Sequence, residues 1–275
     1  MGYSRQYYYK QQKELAEVHH TMLVVKELID TERKLLPRLG TRKLYHRIKP
    51  QLITRGIKVG RDKLFLWMRE YDLLLKPKRR YIQTTMSKHW MRKYPNLVKG
   101  MRITHPEQVW VSDITYIKTR QGNCYLNMVT DAYSRKIMGY AVDDNMETNS
   151  MITALKMAIK QKHLNGQKTT HHSDRGVQYC SKEYVELLAG NGIEISMTQN
   201  GDPYENALAE RMNRTIKEEF GLDGIVNTKE QAIHVIKEAV ELYNNRRPHL
   251  SLNMNTPQMV HQQKIPITLQ PSGLS

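Results

Sequence analysis

Three acidic residues in this chain of 275 stand where a carboxylate needs a reason. Asp113 lies inside Val109-Trp-Val-Ser-Asp-Ile-Thr-Tyr-Ile117, which otherwise reads as an apolar, β-branched strand. A charge there is costly unless it opens onto a site or meets a cation. Asp174 follows the strand-like Thr169-Thr-His-His-Ser173 and precedes Arg175-Gly176, at the kind of strand end where α/β proteins build sites. Glu210 falls in Glu205-Asn-Ala-Leu-Ala-Glu-Arg-Met-Asn-Arg214, a helical stretch whose small residues permit close packing on a sheet. Three carboxylates converging on one point cannot all ionise cheaply without a cation. Two Mg2+ ions about 3.5–4 Å apart would relieve the repulsion and clamp the attacking and leaving oxygens of a phosphodiester. Hard oxygen ligands suit Mg2+ or Mn2+, and Mg2+ keeps waters that a substrate phosphate can replace. Spacing alone leaves unrelated surface acids as the alternative.

The elements that must position these residues fall into two groups. Residues 11–29 read as a helix with Leu15, Val18, Met22, Val25 and Leu28/Ile29 inward. Pro37-Arg-Leu-Gly40 breaks it, and Thr41 is placed to cap a second helix bearing Leu44, Tyr45 and Ile48 that Pro50 should end or kink. Gly56 and Gly60 flank a turn, and a third helix over roughly 61–74 turns Leu64, Phe65, Trp67, Met68 and Leu73 inward. Helix, short glycine-bearing turn, helix is the helix-turn-helix pattern. The third helix would expose Arg61, Lys63 and Arg69 to a DNA groove, with an ordinary small helical bundle as the alternative.

Residues 76–105 read as a basic linker that includes Lys76-Pro-Lys-Arg-Arg80. Strands then follow at 109–117, 125–130 and 136–142, the first two joined by a hairpin at Gln121-Gly-Asn123. A helix at 148–163 capped by Thr148, strands at 169–173 and 192–197, and a helix at 181–190 capped by Ser181 come next. Helices near 204–219 and at 228–244, the last stopped by Pro248, complete the series. Three meandering strands followed by alternating helices and strands indicate a mixed α/β sheet. The expected division is a helical DNA-binding region 1–75, linker 76–105, catalytic core 106–262 and tail 263–275.

Trp110-Val-Ser-Asp113-Ile-Thr-Tyr116, His172-Ser-Asp174-Arg-Gly-Val-Gln-Tyr179 and Asn206-Ala-Leu-Ala-Glu210 resemble the three catalytic motifs of OrfB-type insertion-sequence transposases. Asp131-Ala-Tyr-Ser-Arg135 and Tyr243-Asn-Asn-Arg-Arg-Pro-His249 resemble further signatures of that family, and Pro37-Arg-Leu-Gly-Thr-Arg-Lys-Leu44 the opening of its helix-turn-helix-like domain. The resemblance implies a retroviral-integrase-type, ribonuclease-H-like core holding an Asp-Asp-Glu triad, matched by Asp113, Asp174 and Glu210. It implies divalent-metal-dependent cleavage at transposon ends and transfer of the freed 3′-hydroxyl to target DNA. A homo-oligomer, and fusion to or association with an upstream-frame product, belong to the same expectation. The alternatives are a DNA-binding regulator with a dead core and a plain nuclease on the same fold.

Arg214 and Lys217, four and seven residues after Glu210, share its helix face and are expected to meet phosphates beside the scissile one. The bland reading is a solvated face. Asp131 is expected to hold a turn after the second strand rather than to act in catalysis. Asp143, Asp144 and Glu147 are explained by capping the helix at Thr148. His171 and His172 read as neutral strand residues. His19 and His20 cannot complete a zinc site, because no cysteine occurs in the first 123 residues. Tyr7-Tyr-Tyr9 reads as a frayed terminus.

Charge places the DNA. Residues 1–100 carry 24 Lys and Arg against 8 Asp and Glu, whereas residues 101–275 carry 19 of each. The whole excess of +16 therefore lies in the first third, as for a polyanion-binding module joined to something else. No stretch approaches the ~18 apolar residues of a membrane span, and no apolar signal core opens the chain. Cys124 and Cys180, far apart, fit a reducing bacterial cytosol, where DNA binding would associate the protein with the nucleoid.

Overall fold

The computed structural model describes residues 5–76, 92–163, 167–199 and 206–263. Lys78, Arg79 and Arg80 of the basic run, most of the polar loop before residue 206, and all but the first residue of the expected tail lie outside the described residues. The chain divides into two compact units, Met1–Tyr81 and Ile82–Ser275.

The described residues of the first unit form three helices, α1 (Arg5–Leu35), α2 (Thr41–Thr54) and α3 (Arg61–Glu70). Met22, Val25, Leu28 and Ile29 of α1 are buried, as are Leu44, Ile48 and Leu52 of α2 and Leu64, Trp67 and Met68 of α3. The first helix is longer than its periodicity predicts, and Leu15 and Val18 are exposed rather than inward. At ~1.5 Å per residue, 31 residues run to about 46 Å, more than twice the length of α2. The shorter helices cover only the second half of α1.

Thr41 is the first helical residue and not the cap, a position held by Gly40. Pro50 does not end α2 either. Its lost backbone donor costs ~3 kcal/mol, but Leu52 continues the buried stripe of Leu44 and Ile48, and that burial holds the segment beyond it. Gly56, at φ 69°, closes α2, and Gly60 opens α3. α3 stops at Glu70, short of residue 74, where Asp72 turns left-handed at φ 50°.

The second unit is built on one sheet. Its strands are β1 (Val109–Thr119), β2 (Gly122–Asp131), β3 (Ile137–Asp143), β4 (Thr169–Ser173), β5 (Ile193–Met197) and β6 (Ile225–Val226). The order is β3-β2-β1-β4-β5, with β6 added to the far end of β1. β1, β2 and β3 pair antiparallel, while β4 runs parallel to β1 and β5 parallel to β4. The hairpin turn is Arg120-Gln121, one residue earlier than expected, since Thr119 pairs with Gly122.

Helices α4 (Thr148–Lys160) and α5 (Lys182–Gly190) supply Met151, Leu155, Tyr184 and Leu188 to a core with Trp110, Val129 and Met138. Helices α6 (Ala207–Glu219) and α7 (Lys229–Asn245) supply Met212, Ile216, Ile236 and Tyr243 to another with Ile117, Leu126 and Met128. The two cores share β1 by strand alternation: Trp110 and Ile114 join the first, Ile117 the second. Gly139 lets α4 lie close on β3, because a Cβ there would run into the Ala154 carbonyl oxygen. Ser181 caps α5 as expected, accepting from Tyr184 N. Thr148 does not cap α4, whose cap position is Glu147. Asp143 and Asp144 instead pair with Lys229, at 3.0 and 3.4 Å. A short further helix, α8 (Pro257–His261), follows the helix expected to be last. Among the described residues no helix is long and apolar enough to cross a membrane.

Candidate active site

β1 and β4 bring the two aspartates together. Val111 pairs with His172, so Asp113 and Asp174 each stand two residues past that paired position on neighbouring parallel strands. Asp113 is half-buried and accepts from its own Ile114 N at 2.9 Å and from Asn213 Nδ2 at 2.8 Å. Burial, then the Asp174 charge, and more weakly Glu210, push its pKa up to about 7 against these hydrogen bonds. Asp174 Oδ1 accepts from Gly176 N at 3.0 Å, which orients it at the strand end. Glu210, on α6, is also held above the usual carboxylate range, by desolvation and Asp174, with Arg214 opposing. Asp113 therefore feels both Asp174 and Glu210, and Glu210 feels Asp174.

Among the described residues, no group of three or more His, Cys, Asp or Glu side chains is placed to hold a metal ion by itself. The donor set still suits a hard divalent cation, because Mg2+ is commonly held by one or two carboxylates, its waters and a substrate phosphate. A half-buried Asp113 that resists ionising beside Asp174 is the group such a cation would stabilise.

Of the expected cations, Arg214 is exposed, four residues beyond Glu210. Lys217 is placed differently from the expectation. It is only 8% exposed, and its Nζ donates to Tyr116 O at 2.7 Å and Thr115 Oγ1 at 3.3 Å, above the Tyr116 ring. Arg61, Lys63 and Arg69 are exposed in the other unit, with Arg61 paired to Asp62 and Lys63 over the Trp67 ring.

The remaining polar residues hold the frame. His171 is buried between Ser112 Oγ (2.8 Å) and Tyr184 OH (2.9 Å), and burial drives its pKa down to about 3. His172 is buried against Ser196 Oγ. Asp131 is fully buried. Its carboxylate accepts from Glu107 N, Ser134 N and Ser134 Oγ, pinning a corner in which Glu107 and Arg135 both take positive φ. The Tyr243–His249 signature is also a clasp. Asn244 Nδ2 donates to Ile137 O and its Oδ1 accepts from Ile137 N, while Arg247 pairs in two-pronged fashion with Glu219 at the end of α6.

Sequence reasoning assigned no role to Asn206, although it opens the third motif, or to Asn213, yet both hold β1: Asn206 Nδ2 donates to Ser112 O at 3.2 Å. The signal available was their seven-residue spacing around Glu210.

The integrase core domain family matches residues 103–203 and again 191–257. The chain is 37% identical over 223 residues to an insertion element IS600 uncharacterized 31 kDa protein of Shigella sonnei, covering 80% of this chain and 82% of that one. It is 33% identical to the transposase for insertion sequence element IS904 of Lactococcus lactis, covering 62% and 70%. It is 31% identical to the transposase for IS629 of Shigella sonnei, covering 76% and 68%. A chain in the structure of a simian T-cell lymphotropic virus intasome in complex with PP2A regulatory subunit B56 gamma superposes with TM-score 0.51 at 16% identity, covering 86% and 78%. The second unit is thus a ribonuclease-H-like integrase core. The chain belongs to the insertion-sequence transposases that carry such a core.

Proposed function

We propose that this protein cleaves DNA at transposon ends and joins the freed 3′-hydroxyl to target DNA, with Asp113, Asp174 and Glu210 as its catalytic triad. The observation that carries the reading is the placement of Asp113 on β1 and Asp174 just past the end of the neighbouring parallel β4, with Glu210 brought from α6 near enough to disfavour ionisation of Asp113. Together they would hold Mg2+ or Mn2+, as two ions, which on binding would polarise the phosphodiester and activate the attacking oxygen. Asn213 and Ile114 N keep the Asp113 oxygens oriented, and Gly176 N does the same for Asp174.

Arg214, exposed beside Glu210, is suited to a phosphate next to the scissile one. The partner is double-stranded DNA. Its non-specific grip belongs to the basic amino-terminal third, with Arg61, Lys63 and Arg69 of α3 as the groove-facing set. Homo-oligomerisation and association with an upstream-frame product are part of the same reading. An inactive regulator is not favoured, since all three carboxylates are present in a chain whose relatives include transposases.

Labelled transposon ends, target DNA and Mg2+ test it. Joined product is expected from the native chain, and none from Asp174→Asn or Glu210→Gln with DNA binding retained. Hydrolysis without joining would leave a nuclease, and joining by Asp174→Asn would overturn the triad.

A further inference from the structure

α8 has five residues, well below the ~12 that hold a helix on their own in water, so its position depends on tertiary contacts. Pro257 and Val260 supply apolar burial, and the last residue, His261, turns a buried ring into the corner that Asp131 pins. Donor and acceptor accounting fixes the charge of that ring. Ser134 has one hydroxyl proton, and the 2.6 Å contact with Asp131 Oδ1 takes it, because two oxygens do not approach so closely without one. His261 Nδ1, 3.0 Å from the same hydroxyl oxygen, must therefore donate. Nε2 stands 3.3 Å from Glu107 Oε1. Both oxygens of that carboxylate already accept from His163 N, at 2.9 and 3.2 Å, so this contact too needs its proton on the ring. An imidazole with a proton on each nitrogen is a cation. The charged groups that face it are Asp131 and Lys136 of the corner and Glu107 from the chain entering β1, all buried; α7, which also packs on α8, adds none to that set. Two carboxylates against Lys136 alone leave one negative charge, and the second ring proton cancels it.

We propose that the second proton on His261 is a latch: it fastens α8 to the corner between β2 and β3 and to the entry of β1, and its loss at alkaline pH frees α8. Burial opposes the charge, but Asp131 and Glu107 outweigh it and hold the ring above the ordinary 6.5. Above pH 6.5 a released ring gives up its proton while the latched ring keeps it. The latch therefore weakens about tenfold per pH unit until the latched ring titrates as well. The corner belongs to the frame of the site, since Ala132 shares an apolar cluster with Val111 and Ala209. The latch does not depend on the reading of the triad.

The test is amide hydrogen exchange of the full chain from about pH 6 to about pH 9, read as protection relative to the unstructured rate, which removes the intrinsic effect of pH. The reporters are Val260 and Gln262, whose amides donate to Thr256 O and Gln258 O and so close α8. The latch requires their protection to fall about tenfold per pH unit above 6.5 while that of α5 stays level. His261→Gln, uncharged throughout, should give low and flat protection. His261→Lys, charged throughout, should give high and flat protection. Flat protection in the native chain overturns the latch, and so does a native-like fall in His261→Gln. If neither variant folds, carbon NMR of the His261 ring in the native chain decides. A ring mostly protonated at pH 6.5, where an ordinary histidine is half-charged, is required, and a neutral ring there overturns the proposal.

Discussion

Asp113→Asn should make the metal-free protein more stable while destroying its activity. Burial and Asp174 raise the Asp113 pKa from an ordinary 3.8 to about 7. A carboxyl whose folded pKa is raised contributes stability that is fully present below about 4, declines as pH climbs, and is gone above about 7. The gap of about 3 pH units is worth up to ~4 kcal/mol, at ~1.4 kcal/mol each. Asparagine is nearly isosteric, can still meet Asn213, and cannot ionise. Urea unfolding in EDTA, followed by circular dichroism from pH 4 to pH 8, should show the two proteins converging at the acid end. By pH 8 the variant should be the more stable by as much as that figure. Adding Mg2+ should stabilise the native chain and leave the variant nearly unmoved, because the cation relieves a repulsion the variant lacks. A stability difference independent of pH, or a variant less stable at pH 8 in EDTA, would refute the reasoning.

Three further outcomes follow from other parts of the molecule. Asp131→Asn loses an acceptor in a buried corner and should cost ~2 kcal/mol in urea unfolding while the folded fraction still cleaves DNA; a stable but inactive variant would place Asp131 in the chemistry. Gly139→Val must push α4 off β3 and should destabilise by ~3 kcal/mol on the same assay, a native-like midpoint counting against the close packing. DNA titrations at several salt concentrations should give residues 1–100 a steep slope, about −0.9 per phosphate neutralised, and residues 101–275 a shallow one; equal slopes would separate charge location from DNA location.

The strands and most of the helices were legible because alternation and 3.6-residue periodicity report burial directly, and β1, β4, α5 and α7 lie within a residue or two of expectation. What went astray depended on neighbours. The exposed half of α1 carries the same apolar spacing as the covered half, and only the short lengths of α2 and α3 decide between them. Pro50 and the caps at Thr41 and Thr148 were local signals overruled by packing. At the site, residue types and order marked the three carboxylates. The fate of Lys217 could not be read from its position on a helix, since a charged side chain seven residues from Glu210 serves equally well facing solvent or lying across a strand. The acceptors it meets, at Thr115 and Tyr116, are a hundred residues away in sequence.

The clasp at the end of α7 also bears on how the protein comes into being at the ribosome. Glu219 at the foot of α6 waits for Arg247, and buried Glu107 waits for His261, 3.3 Å from its carboxylate. A nascent chain that has emerged as far as residue 230 already contains Asp113, Asp174 and Glu210, the proposed triad, but not Arg247, which pairs with Glu219 at the end of α6. A chain that stopped between residues 220 and 246 would thus carry all three proposed catalytic carboxylates without the clasp on Glu219. The clasp is thus completed only after the basic residues 1–100 have emerged.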